Sequence, residues 1–389
     1  MSTAIVGWSH LPFGKHENET VETLIVKATN AALEHACIEA TDVDEIVLGH
    51  FNAGFSPQDF TAALVLQANP DLRFKPATRI ENACATGSAA IHQAIKSIDA
   101  RKARIVLVVG VEKMTATQGP EIGQNLLRAS YLQEEGGVEG GFAGLFGKIA
   151  GAYFQKHGDQ SDALARIAAK NHKNGASNPL AQMQKDLGYD FCRQESAKNP
   201  FVAGPLKRTD CSLVSDGAAA LVIADVDAAL SMRRAIAFRS VAHVQDFLPM
   251  SRRDILKFDG CALAWHKVLL EAGVSLDDLS FVETHDCFTI AELIEYEAMG
   301  LVPEGQGARA IDEGWTGIGG RLPVNASGGL KAKGHPIGAT GVSMHAVSAM
   351  QLCGEMPAPI QIKDARLAGI FNMGGAAVAN YASILERIK

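Results

Sequence analysis

Apolar and polar residues alternate between two rhythms along the chain. Short unbroken apolar runs, notably Ile105-Val-Leu-Val-Val109 and Ala219-Ala-Leu-Val-Ile-Ala224, read as strands buried on both faces. Between such runs lie longer segments with apolar residues at helical spacing, from Val21 to His35, Gly87 to Ile98 and Asp254 to Ala272. Buried strands alternating with helices predict an α/β layered architecture.

The pattern occurs twice, in the same order. Asp44-Glu-Ile-Val-Leu-Gly-His50 echoes Leu279-Ser-Phe-Val-Glu-Thr-His285, each a predicted strand ending in histidine. Asn82-Ala-Cys-Ala-Thr-Gly-Ser88 echoes Asn325-Ala-Ser-Gly-Gly-Leu330, each a run of small residues that turns into a helix. Ala103-Arg-Ile-Val-Leu-Val-Val-Gly110 echoes Ala365-Arg-Leu-Ala-Gly-Ile-Phe-Asn372, each a strand leading into a loop. Three echoes in one order indicate two copies of one α/β unit. Between the first copy's run at 105–109 and the run at 219–224 the rhythm stops. This stretch holds the glycine-rich Glu134–Gly144 and a polar segment from Lys170 to Pro205. An insert this long is expected to have structure of its own or to serve as a lid. The glycine run lacks the Gly-Lys-Ser/Thr ending of a phosphate-binding loop and reads as flexible or tightly packed backbone.

Composition narrows the picture. The 389 residues are 47% hydrophobic and 20% charged, with a net charge of −7 and no long single-sign run, which argues against a nucleic-acid binder. The seven cysteines are odd in number and form no CxxC pair, so disulfides and a zinc knot are not expected and a reducing compartment is. No apolar run approaches the ~20 residues that span a bilayer, and the N-terminus lacks a secretory pattern, so a cytoplasmic protein with no membrane association is expected.

Four segments carry candidate chemistry. Cys84 sits in small residues just before a helical run, where unpaired backbone N–H groups and the helix dipole favour thiolate. The segment alone is equally compatible with a buried cysteine that fills a small space. His335 lies in Asn325-Ala-Ser-Gly-Gly-Leu-Lys-Ala-Lys-Gly-His-Pro-Ile-Gly-Ala-Thr-Gly341, whose glycines suit backbone that bends sharply beside a ligand. A histidine there can take a proton from a thiol or donate to an oxyanion; the alternative is an ordinary surface-loop histidine. Phe281-Val-Glu-Thr-His-Asp-Cys-Phe288 runs a strand into His285, Asp286 and Cys287; a structural role or a metal site also fits, the metal less well for want of a partner cluster. Phe371-Asn-Met-Gly-Gly-Ala-Ala377 is a suitable source of backbone N–H donors.

Together these segments resemble the thiolase superfamily, in particular the sterol-carrier-protein type thiolases with a His-Asp-Cys-Phe block and the bacterial acetyl-CoA acetyltransferases. The resemblance runs over nearly the whole chain and includes Ser215-Asp-Gly-Ala-Ala-Ala220 and Asn171–Gln182. It implies two βαβαβαββ halves in a five-layer α/β/α/β/α core, residues 1–116 with 206–228 forming one half and 229–389 the other. Residues 117–205 would form an inserted loop domain over the coenzyme A site. It further implies Cys84 as acyl-carrying nucleophile and His335 as its activating histidine. One oxyanion pocket would use the backbone N–H groups of Cys84 and Gly374, and the other His335 with His285. Many thiolases carry a second catalytic cysteine in a Cys-x-Gly segment, where this chain has Asn372-Met-Gly374; the His-Asp-Cys-Phe subgroup implies Cys287 in its place. The expected activity is acyl transfer between acyl-CoA molecules, by thiolysis of a 3-ketoacyl-CoA or by Claisen condensation. No metal or redox cofactor is expected, acyl-CoA is the expected partner, and a homodimer or homotetramer is implied. The alternatives are a β-ketoacyl synthase-like condensing enzyme and a non-catalytic acyl-CoA-binding scaffold.

Overall fold

The computed structural model describes residues 2–389. Its first half begins with β1 (Thr3–His10), α1 (Val21–Ala36), β2 (Glu45–Gly49), β3 (Ala77–Ile80), α2 (Thr86–Asp99) and β4 (Ile105–Lys113). An excursion follows, with α3 (Pro120–Leu127), α4 (Leu132–Glu135), α5 (Gly141–His157), α6 (Ser161–Ala176), α7 (Gly188–Arg193) and a small hairpin of β5 (Phe201–Ala203) and β6 (Leu206–Lys207). The chain returns as β7 (Asp216–Asp225) and leaves through α8 (Val226–Ser231). The second half comprises β8 (Ile236–Gln245), α9 (Asp259–Ala272), β9 (Phe281–Glu283), α10 (Thr289–Ala298), α11 (Gly307–Asp312), α12 (Gly329–Lys333), α13 (Ile337–Cys353), β10 (Leu367–Gly374) and β11 (Ala379–Arg387).

The strand order β3-β2-β4-β7-β1-β8-β11-β10-β9 makes the duplication visible. In the first half β3–β2 and β2–β4 are parallel, and β4–β7 and β7–β1 antiparallel. In the second half β9–β10 is parallel, and β10–β11 and β11–β8 are antiparallel. A parallel bridge from Val282 to Val324 occupies the place that β3 holds beside β2. The copies meet edge to edge only at Ala4↔Ala237 and Ile5↔Ile236.

Helices α2 and α13 pack against each other between the two sheets, α1 covers the outer face of the first and α9 that of the second. The result is the five-layer α/β/α/β/α core expected from the sequence. Glycines let the middle layer close to backbone contact: a Cβ on Gly87 would lie 2.7 Å from Val342 N, and one on Gly338 2.3 Å from Val111 O. All but two residues of α13 are buried, as a helix enclosed on every side requires.

One local expectation changes, and another narrows to one of its two alternatives. The helix expected from Asp254 starts at Asp259, because Phe258 adopts a left-handed φ of 47° that interrupts helical hydrogen bonding. The glycine run is packed: a Cβ on Gly144 would lie 2.0 Å from Glu139 O, and one on Gly147 2.9 Å from Ala203. Phe146 of α5 stacks on Phe288 with ring centroids 4.4 Å apart, which fixes the excursion to the second half. Among the described residues no helix is long and apolar enough to cross a membrane.

Candidate active site

Cys84 occupies the turn between β3 and α2. Ala83 takes a left-handed φ of 49°, and Thr86 clamps the turn by accepting from Asn82 N at 2.8 Å and donating to Ala83 O at 2.6 Å. Asn82 Nδ2 donates to Tyr381 Oη at 2.9 Å, anchoring the turn to β11. The thiol is only 4% exposed. Burial pushes its pKa up to about 12, with the Glu112 and Glu81 carboxylates adding to the effect and the N–H groups of Gly375 and Cys84 opposing it. The expectation that the helix start would favour thiolate is therefore corrected: desolvation outweighs the helix end, and the resting group is a neutral thiol. In the C-terminal loop the Gly375 N–H is turned toward the sulfur, next to Gly374, where a Cβ would lie 2.5 Å from Asn82 O.

His285 and Cys287 come from the loop after β9. This loop is tied to the segment preceding His335 rather than to its own strand. Asp286 accepts from Leu330 N at 2.6 Å, Lys331 N at 3.1 Å and Asn171 Nδ2 at 2.8 Å. A Cβ on Gly329 would lie 2.3 Å from the Asp286 carboxylate, so glycine is required there. Burial, and then Glu292, raise the Asp286 pKa to about 7. Asp286 thus points away from the cluster and serves as a brace. His335 is held at the start of α13 by its N–H donating to Ser215 Oγ at 3.0 Å.

The two histidine rings meet edge to face, with centroids 5.1 Å apart and planes at 84°. One ring nitrogen from each and the Cys84 sulfur all lie within 4.8 Å of one another. Each Nδ1 is engaged elsewhere, His335 with Thr340 and His285 with Asn372, while both Nε2 atoms are buried without a partner among the described residues. Burial holds His335 down to about 3 and His285 well below its ordinary value, the latter also because His335 is near, so both rings are neutral. Among the described residues this is the one group of His, Cys and acidic side chains spaced to share an ion. Whether it serves an ion or an oxyanion depends on which ring nitrogens carry hydrogen.

Cys84, His335 and Cys287 line a cavity of about 280 Å³. Its remaining walls are mostly apolar, with Met114, Leu126, Phe142, Val214 and Phe288 among them. Val202 and Arg208, both exposed, mark its opening, and Val202 also borders a second depression of about 410 Å³ beside Lys148 and the glycines of α5. The Cys287 thiol is pushed well above its ordinary value, by burial first and then by Cys84, Glu295 and Asp286. It too rests as a neutral thiol. Asn372, Thr340 and Ser88 complete the site. None of them was singled out as a working residue in the sequence: Asn372 and Ser88 act through hydrogen bonds to residues distant along the chain, and Thr340 through the ring of His335.

A buried thiol at a helix start, faced by two neutral histidines and a second thiol on a duplicated five-layer core, defines a thiolase-type site. The family model "Thiolase, N-terminal domain" matches residues 3–227 and "Thiolase C-terminal domain-like" matches residues 242–387, and the chain belongs to the thiolase family. It is similar to the acetyl-CoA acetyltransferase of Methanothermobacter thermautotrophicus, with 32% identity over 99% of both chains. It is 34% identical to human sterol carrier protein 2 over 78% of this chain and 57% of that protein. Among solved structures, the Ltp2-ChsH2(DUF35) aldolase aligns with a TM-score of 0.83 at 20% identity, covering 99% of this chain and 97% of that one, a likeness of fold.

Proposed function

We propose that the protein is an acyl-CoA C-acyltransferase that works through an acyl-Cys84 intermediate. The observation that carries this reading is the convergence of the Cys84 sulfur and both histidine rings within 4.8 Å, beside an apolar cavity that Cys287 also lines. The likeness to acetyl-CoA acetyltransferases supports it.

All four groups start neutral, and a cycle follows that keeps the buried site neutral overall. Cys84 gives its proton to His335 Nε2 as the sulfur attacks the thioester carbonyl. Collapse of the tetrahedral intermediate expels the coenzyme A thiolate, which takes the Cys287 proton. The site then holds an acyl-thioester on Cys84, a cationic His335 and an anionic Cys287. That thiolate removes an α-proton from the second acyl-CoA, and the resulting enolate attacks the acyl-enzyme. The 3-ketoacyl-CoA leaves, and Cys84 recovers its proton from His335. Thiolysis is the same sequence reversed. Both the tetrahedral intermediate and the enolate place charge on oxygen, so N–H donors aimed at those oxygens are central. The N–H groups of Cys84 and Gly374 would serve the first, and the histidine pair the second. The excursion between β4 and β7 would hold coenzyme A, the apolar cavity would take the acyl part, and no cofactor is needed.

The deciding experiment is thiolysis of acetoacetyl-CoA and longer 3-ketoacyl-CoAs by coenzyme A, followed by consumption of the 3-keto compound. Turnover with wild type and none with Cys84→Ala is expected. Acyl-CoA binding without turnover would instead establish a scaffold, and condensation confined to malonyl thioesters a decarboxylating enzyme.

A further inference from the structure

Asn372 is fully buried at the end of β10, and its amide reaches three groups from distant parts of the chain. Its Nδ2 lies 3.2 Å from the Cys84 carbonyl oxygen and 2.8 Å from His285 Nδ1, and its Oδ1 lies 2.8 Å from Ser88 Oγ. A carbonyl oxygen can only accept, so the NH₂ end must face Cys84, and the Ser88 hydroxyl supplies a hydrogen to the other end. The second amide N–H then points at His285 Nδ1, which must meet it with a lone pair. A neutral imidazole carries one hydrogen, and it is left for Nε2. Nε2 is the nitrogen that has no partner.

We infer that Asn372 is a positioning residue that fixes His285 as the Nε2–H tautomer, so that this ring offers the reaction centre a donor and no lone pair. His335 is the opposite case, because Thr340 takes its Nδ1–H and leaves Nε2 bare. One ring therefore accepts the Cys84 proton while the other stands ready for an oxyanion. The cluster, in which His285 presents a hydrogen in place of a lone pair, suits an oxyanion better than an ion. Asn372 occupies the Cys-x-Gly position, and this geometry gives the departure a purpose: the thiol function sits at Cys287, and the amide orders the histidine. The tautomer stands on geometry alone; what the donor does rests on the proposed acyl-transfer chemistry.

Nitrogen-15 NMR of the full chain with labelled histidine tests this, with His285 assigned by difference against His285→Gln. The wild type is expected to show a bare Nδ1 and a protonated Nε2 across neutral pH. A protonated Nδ1 in the wild type would overturn the inference without any Asn372 variant. In Asn372→Leu, which is similar in shape and donates nothing, a mixture of tautomers is expected. The rate of acetyl-CoA α-proton exchange should fall in proportion to the Nε2–H population lost. A pure Nε2–H form in that variant, or exchange that ignores the mixture, would also overturn it. Correct tautomers in a protein without thiolysis would leave this inference standing and remove the acyl-transfer reading; thiolysis with a protonated Nδ1 would do the reverse.

Discussion

Thr340 Oγ1 lies 2.7 Å from His335 Nδ1, and the same hydroxyl donates to the Pro336 carbonyl at 3.0 Å. With its hydrogen on that carbonyl, one turn back along α13, the hydroxyl accepts from the ring. This arrangement puts a hydrogen on His335 Nδ1 and a lone pair on Nε2. Thr340→Val keeps the shape and removes the acceptor. Single-turnover release of coenzyme A, which reports acylation, should slow about 10-fold and recover in Thr340→Ser. His335→Ala should lose about 10²–10⁴-fold, the span usual for a general base.

Cys84 should behave as a buried, neutral thiol. Iodoacetamide is expected to modify the exposed Cys37 first, and Cys84 later. Because the thiol is raised to about 12, the Cys84 reaction should keep accelerating as pH rises past 9.0, the ordinary thiol value, instead of levelling there. Peptide mapping across a pH series checks this, and a plateau near neutrality would contradict it. Cys84→Ala should form no acyl-enzyme at all.

Cys287→Ala should separate the two half-reactions. One equivalent of coenzyme A per chain should still be released as Cys84 is acylated, since a thiolate can leave without a proton donor. Exchange of acetyl-CoA α-protons with deuterium should fall about 10²–10⁴-fold. Wild-type exchange in that variant would move the base to another group.

Acid should destabilise the fold early. Burial lowers His92, His172 and His335 from 6.5 to about 3 and His345 to about 4, and puts His285 well below its ordinary value. A histidine depressed in the folded state contributes stability above 6.5 that is lost as pH falls toward its folded pKa. Asp286 and Glu295 are raised by burial and act in the opposite sense, but the five histidines outnumber them. Unfolding should take up protons between about pH 6.5 and 4, on the order of 1.4 kcal/mol per pH unit for each net proton. The urea midpoint should therefore drop from pH 7 to pH 5, and a flat profile would contradict the burial of these rings as neutral groups.

The fold and the four main site residues were legible because each sits in a local pattern: small residues before Cys84, glycines and proline around His335, a strand running into His285 and Cys287. Strand alternation was no guide to the last pair, since β9 ends at Glu283 before either is reached. What sequence did not show was set by distance and burial. Asn372 acquires meaning only beside Cys84 and His285, separated from it by 288 and 87 positions. The protonation of both thiols follows from desolvation, which a local helix-start argument does not contain. Phe258 delays the start of α9 through its backbone conformation, which its residue type does not signal.

The duplicated loops have one more consequence, for stoichiometry. In the second copy Ser327 stands where the first has Cys84, preceded in both by Asn-Ala. Its hydroxyl donates to Glu283 Oε2 at 2.6 Å and its N–H to Glu283 Oε1 at 3.0 Å, and Glu283 stands where the first copy has Leu48. The second nucleophile position is thus plugged by a carboxylate from its own sheet. The first half supplies the Cys84 thiol, and the second supplies His285, Cys287, His335 and Asn372 around it. On the proposed acyl transfer neither half could act alone, and a chain with two related halves would carry a single reaction chamber, loaded with one acyl group at a time.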